Sequence, residues 1–268
     1  MDIWQVESDG MMQTLSSPAL ASSTPVQALS AADAALVNAF RTEGYAVVRG
    51  LVPKPRIAGM IAHYMDLRAQ GPKPGDMGGD PRDATDPLNR YPRFINQHRW
   101  DANSEAWCGD AALATAASTA IGQRAVLTQS MLYFKPPGAR GQTLHQDHQY
   151  ITTEPLIGVW VALDRADRAN GGMVVVPRSH RQGLFRVRPA DITASFTGGG
   201  TEMPEGLSEV GVDMEPGDAL LFGGYLVHGS YANTTRDRFR RSFICHFVGE
   251  SATRFEPAAG MHMSHIAP

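Results

Sequence analysis

The sequence predicts an α+β fold, mainly β, with helices first and strands later. Three observations predict it. Ser30-Ala-Ala-Asp33 has the form of a helix capping box and is followed by apolar residues at helical spacing. From about residue 124 the chain breaks into short apolar-alternating runs, which indicate a sandwich, jelly roll or small barrel. Turn clusters separate those runs: Pro136-Pro137-Gly138, Asn170-Gly171-Gly172 and Pro216-Gly217-Asp218. With 268 residues, 43% of them hydrophobic and 19% charged, the chain can bury a substantial core.

Residues 1–30 are rich in Ser, Ala and Pro without periodicity and read as a poorly ordered tail. A first helix is expected over 31–43, carrying Leu36, Val37 and Phe40, with Gly44 as its stop and Tyr45–Val48 as a short strand. A second helix follows Pro53 and puts Ile57, Met60, Ile61 and Met65 on one face. Gly, Pro, Asp and Arg dominate residues 71–102, a stretch long enough to read as an active-site loop or lid. Ala111–Ile121 reads as an Ala-rich helix. Strands are then expected over 125–134, 143–150, 156–163, 173–176, 210–213, 218–223, 225–229 and 240–248. The folded domain spans 31–250, and 251–268 form a C-terminal tail. Gly198-Gly199-Gly200 matches neither a dinucleotide fingerprint nor a phosphate-binding loop.

Composition removes several functions. Twenty-four basic against 27 acidic residues leave a net charge of −3, without the basic field of a nucleic-acid binder. No apolar run approaches the roughly 18 residues that span a bilayer. Cys108 and Cys245 are too few for a disulfide framework or a four-thiolate zinc site. With no secretory signal pattern at its start, the chain reads as a cytoplasmic protein that acts on a small molecule; its oligomeric state is left open.

Histidine carries the chemistry. In Leu144-His145-Gln146-Asp147-His148, strand alternation would send His145 and Asp147 to one face, offering an imidazole and a carboxylate to one ion. His148 would point away. The dyad alone is weak evidence. A second imidazole, His228, lies 83 residues downstream at the end of an apolar run and is followed by Gly229. Two His and one carboxylate on one face of an ion leave positions open, as in non-haem Fe(II) oxygenases. Zinc tolerates the same donors, and a structural core histidine is the plain alternative for His228. Next comes a run with Arg236, Arg238, Arg240 and Arg241, in which Arg238 and Arg240 share a face. One inward guanidinium beside a metal suits a dicarboxylate, whose far end it can bind through two parallel hydrogen bonds.

In these residues the chain resembles the phytanoyl-CoA dioxygenase family of Fe(II)/2-oxoglutarate-dependent oxygenases. Six blocks carry the resemblance over about 31–248: Met131–Gly138, Leu144–Asp147, Gly158–Asp164, Asn170–His180, His228–Ser230 and Asn233 through Phe239-Arg240-Arg241-Ser242. The resemblance implies a double-stranded β-helix, a jelly-roll or cupin-like barrel, with N-terminal helices packed on one sheet. It implies His145, Asp147 and His228 as iron ligands, and Arg240, with Ser230 beside it, as the partner of the far carboxylate of 2-oxoglutarate. Arg240 stands twelve residues after His228 where the family usually has eleven, so Arg238 on the same face is the fallback. Trp160, Met131 and Lys135 match positions around the cosubstrate, and Gln129 matches a substrate contact; Tyr133 shares their strand face. His98 and Arg99, in a basic and aromatic block of the 71–102 loop, are candidate substrate contacts. Related halogenases carry Gly or Ala in place of Asp147, so its presence implies hydroxylation or desaturation, with Fe(II), 2-oxoglutarate and O2 as reactants. A metal-binding β-helix without oxygenase activity, either an isomerase or lyase or a non-catalytic binder, is the competing reading.

Overall fold

The computed structural model describes residues 30–78 and 85–256. Residues 1–29, most of the expected N-terminal tail, and 257–268 of the C-terminal tail lie outside the described residues, as do 79–84 of the long loop.

The first helix, α1 (Ala31–Glu43), begins and ends where its local chemistry dictates. The Ser30 hydroxyl accepts the Asp33 amide, and Gly44 closes the helix at φ 87°, donating its N–H to the Phe40 carbonyl. Strand β1 (Tyr45–Val48) leads to α2 (Lys54–Ala69), whose Ile57, Met60 and Tyr64 are buried. The 71–102 segment is not one loop but a chain of short elements. They are β2 (Asp76–Met77), α3 (Pro87–Arg90), β3 (Arg93–Ile95) and one turn of 3-10 helix at Gln97–Arg99. Helices α4 (Ala102–Cys108) and α5 (Ala111–Ile121) follow. Asp101 and Asp110 cap them through their carboxylates.

The strand region opens with β4 (Ala125–Lys135), β5 (Gln142–His145), β6 (Thr153–Ala162) and β7 (Met173–Val175). It continues through β8 (Arg188–Pro189), β9 (Gly199–Gly200), β10 (Val210–Val212) and β11 (Ala219–Gly223). It ends with β12 (His228–Ser230) and β13 (Arg240–Arg254). Strand β13 therefore runs four residues past the expected domain end at 250. The expected strand 143–150 stops at His145, and Asp147–Gln149 form a single 3-10 turn.

Seven strands form one sheet in the order β1-β11-β6-β13-β4-β3-β2, and four form a second in the order β10-β7-β12-β5. All pairings within the two are antiparallel. The expected barrel is thus two facing sheets of jelly-roll type and not a closed cylinder.

Strand alternation splits the larger sheet into two apolar faces. Phe243, Cys245 and Phe247 of β13, with Leu132, Phe134, Val159 and Val161, pack against Ile57, Met60, Tyr64, Leu113 and Ala117 of the helices. Burying each Phe or Leu of this layer contributes about 1.5–3 kcal/mol. The helices thus cover one sheet face, as the sequence predicts. On the other face Met131, Trp160, Leu220, Phe222 and Ile244 meet Met173, Val175 and Val212 of the smaller sheet. Cys108 and Cys245 are free and buried in the helix-side layer, their sulfurs 3.7 Å apart. The edge strand β2 and its neighbour β3 are held by Arg68 of α2, which pairs with Asp76 and lies 4.4 Å over the Phe94 ring.

Candidate active site

Between the sheets lies a cavity of about 650 Å³, lined from the larger sheet by Arg93, Gln129, Met131, Tyr133, Trp160, Arg240 and His246. The smaller sheet and its loops add His145, Asp147, Tyr150, Phe196, Thr197, His228 and Ser230.

Backbone pairing sets His145 and His228 directly opposite each other on β5 and β12. Their ring centres lie 4.3 Å apart, and the 3-10 turn after β5 brings Asp147 Oδ1 to 3.7 Å from His145 Nε2 and 3.6 Å from His228 Nε2. Asp147 therefore converges with His145 by a chain reversal, not by strand alternation. One donor atom from each residue lies within 4.8 Å of the others, and all three side chains are buried.

The protonation pattern suits a cation. His145 Nδ1 donates to the Thr143 carbonyl at 2.9 Å, and His228 Nδ1 donates to the Leu226 carbonyl at 3.0 Å. A carbonyl oxygen only accepts, so each Nδ1 carries a proton and each Nε2 is the nitrogen turned to the centre, that of His145 lying also 3.1 Å from the Gln142 side-chain nitrogen. Burial and the nearby His228 lower the His145 pKa to about 3, which keeps that imidazole neutral. Burial alone would raise Asp147, but the imidazoles of His228 and His246 and the His246 hydrogen bond hold its carboxyl below the usual range. Two imidazoles with Nε2 turned to the centre and a carboxylate form a donor set that fits Fe(II).

His246 escaped the sequence reading. Its Nε2 donates to Asp147 Oδ2 at 3.0 Å, while Asp147 Oδ1 is the oxygen near His145 and His228. The signal was present: the alternation that turns Arg240 inward continues through Ser242 and Ile244 to His246, and all of these but Ser242 line the cavity.

The two candidate arginines separate cleanly. Arg238 makes two hydrogen bonds to Asp167, at 2.7 and 3.1 Å, and lies outside the cavity. Arg241 points to the other face and pairs with Asp164. Arg240 is 2% exposed, lines the cavity and stands 5.4 Å from the Trp160 ring. Its Nε donates to the Gly171 carbonyl at 2.9 Å and its Nη1 to Ser242 Oγ at 2.7 Å. Burial lowers its pKa to about 10, still far above neutrality. Among the described residues no carboxylate forms an ion pair with it, so it has N–H groups to offer an incoming anion.

Lys135 departs from expectation. It does not line the large cavity; its Nζ donates to Ser230 Oγ and to the Tyr231 carbonyl, both at 2.7 Å. Burial and the Arg240 charge pull its pKa well below the ordinary lysine value. Because Ser230 Oγ accepts this bond, its own proton is free to point into the cavity. Gly171 makes the arrangement possible: at φ 88°, a Cβ there would stand 2.3 Å from Lys135 Cδ.

Gln129, Met131, Tyr133 and Trp160 line the cavity as expected. His98 and Arg99 do not. Asn96 turns the chain at φ 55° directly after β3, so His98 Nδ1 lies 2.6 Å from Ser130 Oγ and Arg99 faces solvent. His148 turns away from the centre, with Nδ1 donating to the Ile151 carbonyl and its ring against Tyr225. Asn233, which opens a glycosylation-like triplet, is buried and donates to the Lys135 and Arg238 carbonyls.

A family model described as phytanoyl-CoA dioxygenase matches residues 40–242. The chain belongs to the phytanoyl-CoA dioxygenase family. Among relatives, the phytanoyl-CoA dioxygenase domain-containing protein 1 of Danio rerio is 37% identical over 152 residues, 53% of this chain and 52% of that protein. A probable phytanoyl-CoA dioxygenase of Caenorhabditis elegans is 32% identical over 152 residues, 52% of this chain and 47% of that one. The chain thus spans about half the length of the curated relatives it matches. Among solved structures, EvdO2 of Micromonospora carbonacea var. aurantiaca complexed with 2-oxoglutarate superposes with a TM-score of 0.71 at 19% identity, covering 89% of this chain and 98% of that one. The epimerase SnoN in complex with Fe3+, alpha ketoglutarate and nogalamycin RO gives 0.69 at 19% identity, covering 85% and 88%. At such identities the likeness shows a shared fold. Among the described residues no helix is long and apolar enough to cross a membrane.

Proposed function

We propose that this protein is an Fe(II)- and 2-oxoglutarate-dependent dioxygenase that hydroxylates or desaturates an unactivated C–H bond of a small organic substrate. One observation carries the reading: the His145, Asp147 and His228 donors, within 4.8 Å of one another, share a cavity with a buried guanidinium that has no carboxylate partner among the described residues.

Each residue then has a task. His145, Asp147 and His228 hold Fe(II) on one side and leave its remaining positions to the cavity. Arg240 binds the far carboxylate of 2-oxoglutarate, with the Ser230 hydroxyl donating beside it. Lys135 fixes the Ser230 oxygen, while Trp160 and Met131 form the apolar walls of the cosubstrate chamber. Gln129 and Tyr133 face the substrate. Bound iron supplies the oxygen chemistry that turns 2-oxoglutarate into succinate and CO2 and oxidises the substrate. The protein orients both reactants and keeps the chamber dry. Fold does not choose the substrate, and neighbours of this fold include a carbocyclase and an epimerase. We retain a cytoplasmic location from the sequence, although the rat relative is named peroxisomal.

The test is aerobic incubation of the purified protein with ferrous iron and 2-oxoglutarate, following succinate. Iron-dependent succinate formation, raised by a small-molecule substrate, is expected. Iron binding without any succinate would instead favour a non-catalytic metal-binding β-helix.

His246 acts in this account as a positioning residue for Asp147. Partners of metal ligands typically contribute about 10–100-fold to metal affinity. We expect His246→Ala to weaken Fe(II) binding by about that factor, and His246→Gln, which keeps a donor, to recover most of it. Anaerobic metal titration checks both variants; equal loss in the two would mean that the donor to Asp147 is irrelevant.

A further inference from the structure

The cavity contains two arginines without a counter-ion among the described residues, and the proposed cosubstrate accounts for one. Several arginines elsewhere in the fold are matched. Arg68 pairs with Asp76, Arg140 with Asp86, Arg238 with Asp167 and Arg241 with Asp164. Among the described residues, Arg240 and Arg93 alone line the cavity as cations and form no ion pair.

Arg93 is placed with care. It is the first residue of β3, whose alternation sends Phe94 into the helix-side core and Arg93 and Ile95 toward the cavity. The guanidinium carbon lies 5.6 Å from the Tyr133 ring centre and 5.1 Å from that of Phe196. Its Nη2 donates to the Met77 sulfur at 3.2 Å, a weak acceptor, and the neutral Tyr133 hydroxyl is also within hydrogen-bond reach of the guanidinium, but neither is an anion. Its Nε is buried and has no hydrogen-bond partner. Desolvating a cation without an anion to meet it is costly, and a guanidinium keeps its planar fork for an oxyanion. Tyr133 and Phe196 stiffen the fork by lying against it.

Arg93 is also in the wrong place to duplicate Arg240. Strand β4 lies between β3 and β13, so the two arginines spring from backbones about 10 Å apart. The same cavity is lined by Tyr150, Ile151, Val187 and by Phe196, which lies against Arg93, and these walls suit an apolar or aromatic body.

Resting on the oxygenase reading above, we propose that Arg93 anchors the carboxylate of an acidic primary substrate. The substrate carries that group on an apolar body, which runs along Tyr133 and Phe196 toward the three metal-holding side chains. Arg93 is thereby the residue that selects acids over their neutral analogues.

The test uses the Fe(II)-loaded protein under nitrogen, with and without saturating 2-oxoglutarate. Calorimetric titrations compare 4-phenylbutyrate, phenylacetate and hexanoate with their primary amides. At least one acid is expected to bind tenfold or more tightly than its amide. Arg93→Gln should reduce that acid to the level of the amide, Arg93→Lys should fall between, and the Kd of 2-oxoglutarate should move less than twofold in both. Thermal midpoints confirm that the variants fold. Equal binding of acids and amides, no binding of any acid, or an acid preference that survives Arg93→Gln overturns the inference. So does loss of 2-oxoglutarate binding in Arg93→Gln, which would move the cosubstrate anchor to this residue. If the unsubstituted protein binds no 2-oxoglutarate at all, the oxygenase reading fails, and the acid-against-amide comparison without cosubstrate still decides the role of Arg93.

Discussion

His228→Ala is expected to lower iron-dependent succinate formation by at least about 1000-fold while leaving the protein folded. A bound metal typically supplies several kcal/mol of stabilisation to a reaction, and each 1.36 kcal/mol is a factor of ten in rate. Removing one of three donors forfeits most of that. The fold should survive because β12 is held by backbone pairing to β5 on one side and β7 on the other, which the substitution leaves in place. Circular dichroism and the thermal midpoint report folding, and coupled succinate detection reports turnover. Undiminished turnover in the folded variant would remove His228 from the metal site.

The second large effect separates two arginines that share a strand face in sequence. Arg240→Ala should raise the apparent KM for 2-oxoglutarate by about 30-fold or more, whereas Arg238→Ala should change it less than about threefold. Truncating one member of a buried, hydrogen-bonded charge pair costs about 2–5 kcal/mol, and every 1.4 kcal/mol is tenfold in affinity. Arg240 would form such a pair with the cosubstrate in a site sealed by Trp160, Gly171 and Ser242. Arg238 already pairs with Asp167 at the surface, where an ion pair is worth only about 0–1 kcal/mol. Steady-state kinetics with 2-oxoglutarate as the varied reactant gives both numbers. The reverse order would show that the longer turn between Asn233 and Arg238 shifts the anchor by two residues.

These contrasts show what the sequence could and could not disclose. Elements governed by local chemistry were readable: Ser30 and Gly44 bound α1 as their capping and left-handed preferences require. The outer layer of β13 was readable for the same reason, because a period of two needs no knowledge of the partner strand. His145 and His228 could be paired as ligands, but the reason they meet is the β5–β12 register, a long-range property that spacing along the chain does not encode. Asp147 was assigned correctly to the cluster by an incorrect geometry, since the chain leaves the strand at His145 and turns.

The misses have physical causes as well. His98 and Arg99 were chosen from a basic block in which Arg93 is the residue that faces the cavity. The positive φ at Asn96 diverts the chain between them, a conformation that asparagine adopts more readily than most residues. Lys135 sits on the face expected of it, yet the close approach of Gly171 and Ser230 captures its ammonium before it reaches the open space. Tyr150, Phe196 and Thr197 come from irregular segments whose course is set by packing, and no periodicity marks them.

The central claim is that three side chains hold one iron. Anaerobic crystals soaked with ferrous iron and 2-oxoglutarate test it most directly, with anomalous scattering at the iron edge locating the ion. The account predicts a single peak about 2.0–2.2 Å from Nε2 of His145, Nε2 of His228 and an oxygen of Asp147. An ion bound elsewhere, or full occupancy retained in His228→Ala, would contradict it.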